Sequence, residues 1–145
     1  MKLQFAFLAD FALAHPDGKL YVLGGGFDTI YAAVLPARHP HLSLVMNFQF
    51  AANETGRSYA IEIRPQDSTG APFLQVMTIE ASPQRNLQAP TSPVTFQSVL
   101  NFQGVQLRTA GEHTFSIVVD GQELAAVPLR VTKIAASDAS GRRPN

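Results

Sequence analysis

The segment Gly111–Val131, GEHTFSIVVDGQELAAVPLRV, restricts the fold of this chain more than any other stretch. Phe115, Ile117 and Val119 alternate with Thr114, Ser116 and Val118, the period of two that a half-buried strand needs. Asp120-Gly121 follows, a turn signal because Asp and Gly tolerate the positive φ of tight hairpins. A strict two-residue loop pairs odd-numbered with even-numbered residues and turns Val127, Leu129 and Val131 away from the face of Phe115. A three-residue connection, with Gly121 as the left-handed residue of a bulge, pairs odd with odd and gathers Ala125, Val127, Leu129 and Val131 on that face. The second register is the one expected. It makes a core hairpin in which each large apolar side chain contributes roughly 1.5–3 kcal/mol on burial.

The upstream chain supplies strands to pack against it. In Met1–Asp10, Leu3, Phe5 and Phe7 share one face and Ala6 and Leu8 the other, which predicts a covered, central strand. His15-Pro16-Asp17-Gly18 reads as a turn, Lys19–Leu23 as a second strand, and Phe27–Val34 as a third after Gly24-Gly25-Gly26. Pro36 and Pro40 bracket an expected loop. Leu42, Leu44, Met46, Phe48 and Phe50 give the cleanest alternation, with Ser43, Asn47 and Gln49 directed outward. Ala51–Arg57 turns the chain, Tyr59, Ile61 and Ile63 point inward, Pro65 ends that strand, and Asp67–Gly70 is a turn. Phe73–Ile79 reads as a sixth strand and Ser82–Pro93 as the longest loop. Val94–Leu107 carries Phe96, Leu100 and Phe102 on one face, with Gly104 as a bulge or bend.

No segment sustains a helical period, and the strands recur at short spacing. The expected fold is all-β: a single-domain antiparallel β-sandwich, immunoglobulin-like or a related Greek key, of about eight strands. Residues 1–134 form the domain, and 135–145, AASDASGRRPN, read as a flexible tail.

Charge and composition narrow the function classes. Eleven basic and eleven acidic residues give no net charge, so the basic field that nucleic acid or an anionic membrane requires is missing. Neutrality also lowers the repulsion between copies, which favours self-association. The absence of cysteine excludes disulfides and thiolate metal sites. Lys2 and LQFAFLADFALAH imitate a signal peptide, but Gln4 and Asp10 interrupt the apolar run and Leu3, Phe5 and Phe7 alternate as in a strand. No run approaches the ~20 apolar residues of a membrane-spanning helix. A cytoplasmic protein is expected.

The chain offers little catalytic chemistry. Gly24–Gly26 lacks the spacing of a phosphate loop and precedes a strand where such loops need a helix; a kink where the strand passes between sheets is expected instead. His39 and His41 would share a strand face, but no third metal ligand lies near them in sequence. Asp10, Asp28, Glu62, Glu80 and Asp120 fall on separate turns and outward positions, and no nucleophile elbow is present. Neither an enzyme nor a cofactor is expected. The strands apolar on both faces point instead to protein–protein contact or self-assembly, because a second apolar face needs a covering element from this chain or another. The alternative is a small-ligand module with its site in the end loops by the glycine kink, at Asp28, Tyr31, His39 and His41.

Taken together, MKLQFAFLAD, GKLYVLGGGFDTIYA, LSLVMNFQF and the closing hairpin resemble a family of small bacterial proteins with no assigned function. The resemblance extends to about Val131 and implies a compact sandwich without a catalytic residue set. Entry to the Phe115 strand also resembles that of immunoglobulin-like domains, with His113 where a Tyr would be usual.

Overall fold

Alternating apolar side chains become strands through most of residues 1–135, which the computed structural model describes. The strands are β1 (Lys2–Ala14), β2 (Leu20–Phe27), β3 (Thr29–Ala32), β4 (Ala37–Phe50), β5 (Tyr59–Gln66), β6 (Met77–Ala81), β7 (Val94–Leu107), β8 (Gly111–Val119) and β9 (Gln122–Lys133). They form two sheets, ordered β2-β1-β4-β7 and β3-β9-β8-β5-β6. The protein is an all-β sandwich. Its pairing is antiparallel except at β3, which runs parallel to β9. The tail at 135–145 lies outside the described residues, Ala135 apart.

Both sheets turn their alternate residues into one core. Leu42, Leu44, Met46, Phe48 and Phe50 of β4 face Ile61, Ile63, Phe115, Ile117 and Leu129 of the opposite sheet, all fully buried. Phe115 lies at the centre, its ring stacked 5.8 Å from Phe102 and edge-on to Phe73 at 5.4 Å. His113 is buried beside them. Its Nδ1 donates to the Gly111 carbonyl at 3.1 Å, a local bond from the position where a Tyr was the usual residue.

The closing hairpin combines the two registers. Phe115 pairs with Val127, Ile117 with Ala125 and His113 with Leu129, odd with odd as expected. At the tip, however, Val118 pairs with Glu123 and Val119 with Gln122, leaving a two-residue loop of Asp120 (φ +47) and Gly121 (φ +84). The register slips beside Leu124, so the bulge lies in β9 and not in the turn. Two positive φ values in succession give the twist that suits a right-handed hairpin.

Other boundaries moved for local reasons. Residues 37–41 are strand, not loop, and Pro40 lies within β4 because its missing N–H falls opposite Gly104, where the ladder opens. Gly104 (φ +61) turns the faces over without changing the register: Phe102 is buried before it, Val105 and Leu107 after it. Pro65 does not end β5; it is paired with Phe115. The sixth strand is Met77–Ala81, and Phe73 reaches the core from an irregular segment. A slip at Gln4 puts Leu3 with Ala6 against the core and leaves Phe5 and Phe7 on the other face, their rings 5.9 Å apart.

The second apolar face of the first sheet is covered by the chain itself. β1 runs beside β4 as far as the Ala9–Ser43 pair. Beyond it, Ala12 N–H donates to Ser43 Oγ at 3.1 Å, on the sheet's outer face. The turn carbonyl of Gly18 accepts from Gln97 Nε2 at 3.2 Å, on β7. The far half of β1 and β2 therefore folds as a hairpin across that face. Ala9, Ala12 and Val45 are buried beneath it with Phe7, Leu20 and Val99 against them. Ser43 and Asn47, predicted to face solvent, are buried for the same reason.

Candidate functional site

The expected end-loop site is only partly assembled. Tyr31 and His39 line one recess of about 120 Å³ with Arg38, Val34 and Leu107. That is smaller than the ~300–1,000 Å³ usual for a ligand pocket. Asp28 and His41 lie outside it. Asp28 occupies the passage from β2 to β3, where its carboxylate accepts from Thr29 Oγ1 at 2.8 Å and its carbonyl from Arg130 N–H at 2.6 Å. His41 contacts Asn101 Oδ1 through Nε2 at 3.1 Å, with its ring 5.4 Å from Phe11.

The glycine kink does what its position suggested. Gly24 (φ +60) and Gly26 (φ +86) bulge β2 against β1, and the chain then passes to the second sheet. A Cβ on Gly24 would lie 2.2 Å from Asp10 Oδ2, so the kink accommodates a carboxylate. Asp10 was read only as an isolated outward charge. Its place in the middle of an apolar strand was the available signal. Burial holds the His39 imidazole below its ordinary pKa, while the Asp10 charge opposes that shift. Among the described residues, no three His, Asp or Glu side chains converge as metal ligands.

At the opposite end, Met1, Glu54, Arg57, Tyr59, Asp120 and Glu123 edge an open cleft of about 590 Å³. Several of its charges are already compensated. Arg57 bonds Asp120 at 2.7 Å and lies 4.1 Å from the centre of the Tyr59 ring. The Met1 ammonium bonds Glu54, and that bond, followed by the Ala51 N–H, holds the Glu54 carboxyl below its usual range.

A different surface carries the apolar exposure. In the β1–β2 hairpin Leu13 pairs with Tyr21 and Phe11 with Leu23, so their side chains share a face. Phe11 at one end of the row lies against the His41 ring of β4, and the face is otherwise open to solvent. Phe11 is 43% exposed, Leu13 48%, Tyr21 53% and Leu23 68%. β2 is also a terminal strand of its sheet, with no charged residue between Leu20 and Phe27. Edge strands are commonly blunted by charge, proline or a bulge; β2 has no charge or proline blunting it, and its bulge is confined to Gly24–Gly26, past the apolar row.

A family model matches residues 4–132, from the third residue of β1 to one residue short of the end of β9. The chain belongs to DUF6941, a family of unknown function. The match takes in both sheets of this DUF6941 domain and the whole β1–β2 hairpin. Comparison with curated proteins finds no match. No helix among the described residues of the DUF6941 chain is long and apolar enough to cross a membrane.

Proposed function

We propose that this chain is a non-catalytic module that works in the cytoplasm through protein–protein contact, using the outer face and free edge of its β1–β2 hairpin. The observation that carries the reading is the row Phe11, Leu13, Tyr21 and Leu23, exposed together on one face. Contiguous exposed apolar surface beside an unpaired edge characterises interaction sites, whereas scattered single residues do not. The scaffold is read as immunoglobulin-like. Support comes from β4 and β7 pairing in one sheet, β5, β8 and β9 in the other, and the β2–β3 segment passing between sheets.

The test is light scattering after size exclusion, combined with pull-down, on the native chain and on a Phe11→Ser, Leu23→Ser double variant. Both sites are exposed, so the variant should fold, while assembly or partner capture should be lost. A clean monomer at high concentration that captures nothing overturns the reading.

A further inference from the structure

Residues 67–76 join β5 to β6 without a strand of their own, and they divide into a fixed part and a loose one. The turn at 67–70 is fixed. Asp67 Oδ1 accepts from the Thr69 N–H at 2.8 Å and the Ala71 N–H at 3.1 Å, and Ser68 Oγ donates to the Ala110 carbonyl at 3.0 Å. Past the turn, the bridge from Pro72 to Gln66 is isolated, and Leu74 and Gln75 make no backbone bond among the described residues. Phe73 lies in this loose part. It is partly buried, and its ring stands edge-on to Phe115 at 5.4 Å and to His113 at 5.1 Å.

His113, next to that ring, is fully buried. Its Nδ1 is committed to the Gly111 carbonyl, which can only accept, so Nδ1 carries the proton and Nε2 is a bare acceptor. Nε2 is buried and has no hydrogen-bond partner among the described residues. It is the ring atom farther from the backbone, on an inward-facing residue of β8, so it looks into the core. Native interiors rarely leave such an atom unsatisfied, and the exceptions call for a group that arrives from outside. Around it are the aromatic faces of Phe73 and Phe115, with Phe102 stacked on Phe115 at 5.8 Å. Aromatic walls with one polar atom of fixed sense are the composition of a small-molecule site.

We propose that Phe73 is the removable plug of a ligand site in the sandwich core. The site takes a small aromatic molecule with a single O–H or N–H donor, of the phenol or indole class. The ligand ring replaces the Phe73 ring, and its donor bonds His113 Nε2. Withdrawing Phe73 breaks no strand pairing, because it belongs to no strand. The chemistry of the site excludes other classes: an anion meets a lone pair and apolar walls, and a plain hydrocarbon leaves Nε2 bare. This site is separate from the β1–β2 face and does not depend on the protein-contact reading.

NMR of the native chain with 15N-labelled histidine, titrated with phenol, indole and toluene, tests this. Phenol and indole should bind saturably, moving the His113 Nε2 resonance upfield as the bare nitrogen gains a donor, with the Phe73 ring signals moving in the same titration. Toluene has the shape without the donor, and should bind about tenfold or more weakly and leave Nε2 unmoved. Phe73→Ala removes the competing side chain and should bind phenol about tenfold or more tightly than the native chain, with Phe73→Leu between the two. Circular dichroism of each variant checks its fold, and the native titration stands without them. A native chain that takes up neither phenol nor indole overturns the proposal. Phenol binding that leaves Nε2 unmoved overturns it, as does toluene binding as well as phenol. Folded Phe73 variants no tighter than the native chain show that Phe73 is no plug. A crystal structure at saturating phenol with only a water on Nε2 overturns it as well.

Discussion

Phe115 concentrates the packing of the molecule in one side chain, fully buried between Phe102 and Phe73. Phe115→Ala should cost about 3–5 kcal/mol in urea melts, because the aromatic neighbours cannot collapse fully into the void. Gly121 tests the turn. With φ +84 it admits no β-branched residue without strain, although nothing lies within 4 Å of its Cβ position, so Gly121→Val should destabilise through the backbone alone. Equal stability of Gly121→Val and native chain would refute that conformation. At His39 the sign of titration can be stated. Burial lowers the folded pKa, so the unfolded state takes up the proton first. Its contribution to stability is present above the ordinary histidine value, near 6.5, and falls as the pH drops from there through the lower folded value. Asp10 opposes the shift, so Asp10→Asn should move the His39 titration further down, as read by NMR of the imidazole. An unchanged titration would show that the Asp10 charge does not reach it. The His39–Asp10 relation was not legible in sequence, because it depends on β1 and β4 lying side by side.

At the scale of elements, strands with simple alternation were legible and those shaped by distant contacts were not. Val94–Leu107 was read to its ends, since its period of two and its flanking Pro93 are local signals. The sixth strand was displaced because Phe73 is apolar for a tertiary reason: it fills the space beside Phe115 and His113 from outside any strand. The β1–β2 hairpin shows the same limit. Its alternation was visible, but its folding across the first sheet depends on the Ala12–Ser43 and Gly18–Gln97 bonds, each between residues far apart in sequence. Beneath it the buried side chains are small, Ala9, Ala12 and Val45, so polar contacts carry much of the attachment. Ser43→Ala leaves the buried Ala12 N–H without that acceptor, at a cost of about 1–3 kcal/mol. Amide exchange should then quicken along residues 9–27 while the β8–β9 amides stay protected. Uniform quickening would mean that the hairpin does not open separately.

For the whole molecule, self-assembly through the β1–β2 face, as proposed, would link stability to concentration. A ligand that binds only the folded state raises its melting temperature, and in the proposed self-assembly that ligand is a second copy. The thermal midpoint of the native chain should therefore rise with protein concentration, and that of Leu23→Lys should not. A midpoint independent of concentration in both would contradict self-assembly through this face. The sequence by itself determined the all-β character, most of the strands, the inward set of β4 and β8, and the turn at Asp120-Gly121. These depend on interactions between neighbours along the chain: side-chain alternation, glycine conformations, and the missing N–H of proline. Only the tertiary structure decided that β3 runs parallel to β9, that Tyr31 and His39 share a recess without Asp28 and His41, and that Ser43 and Asn47 are buried. It also decided which face of the first hairpin stays open. The physical reason is the same in each case. A period of two says that a strand has two faces, but which face meets protein and which meets water depends on segments brought together from distant parts of the chain.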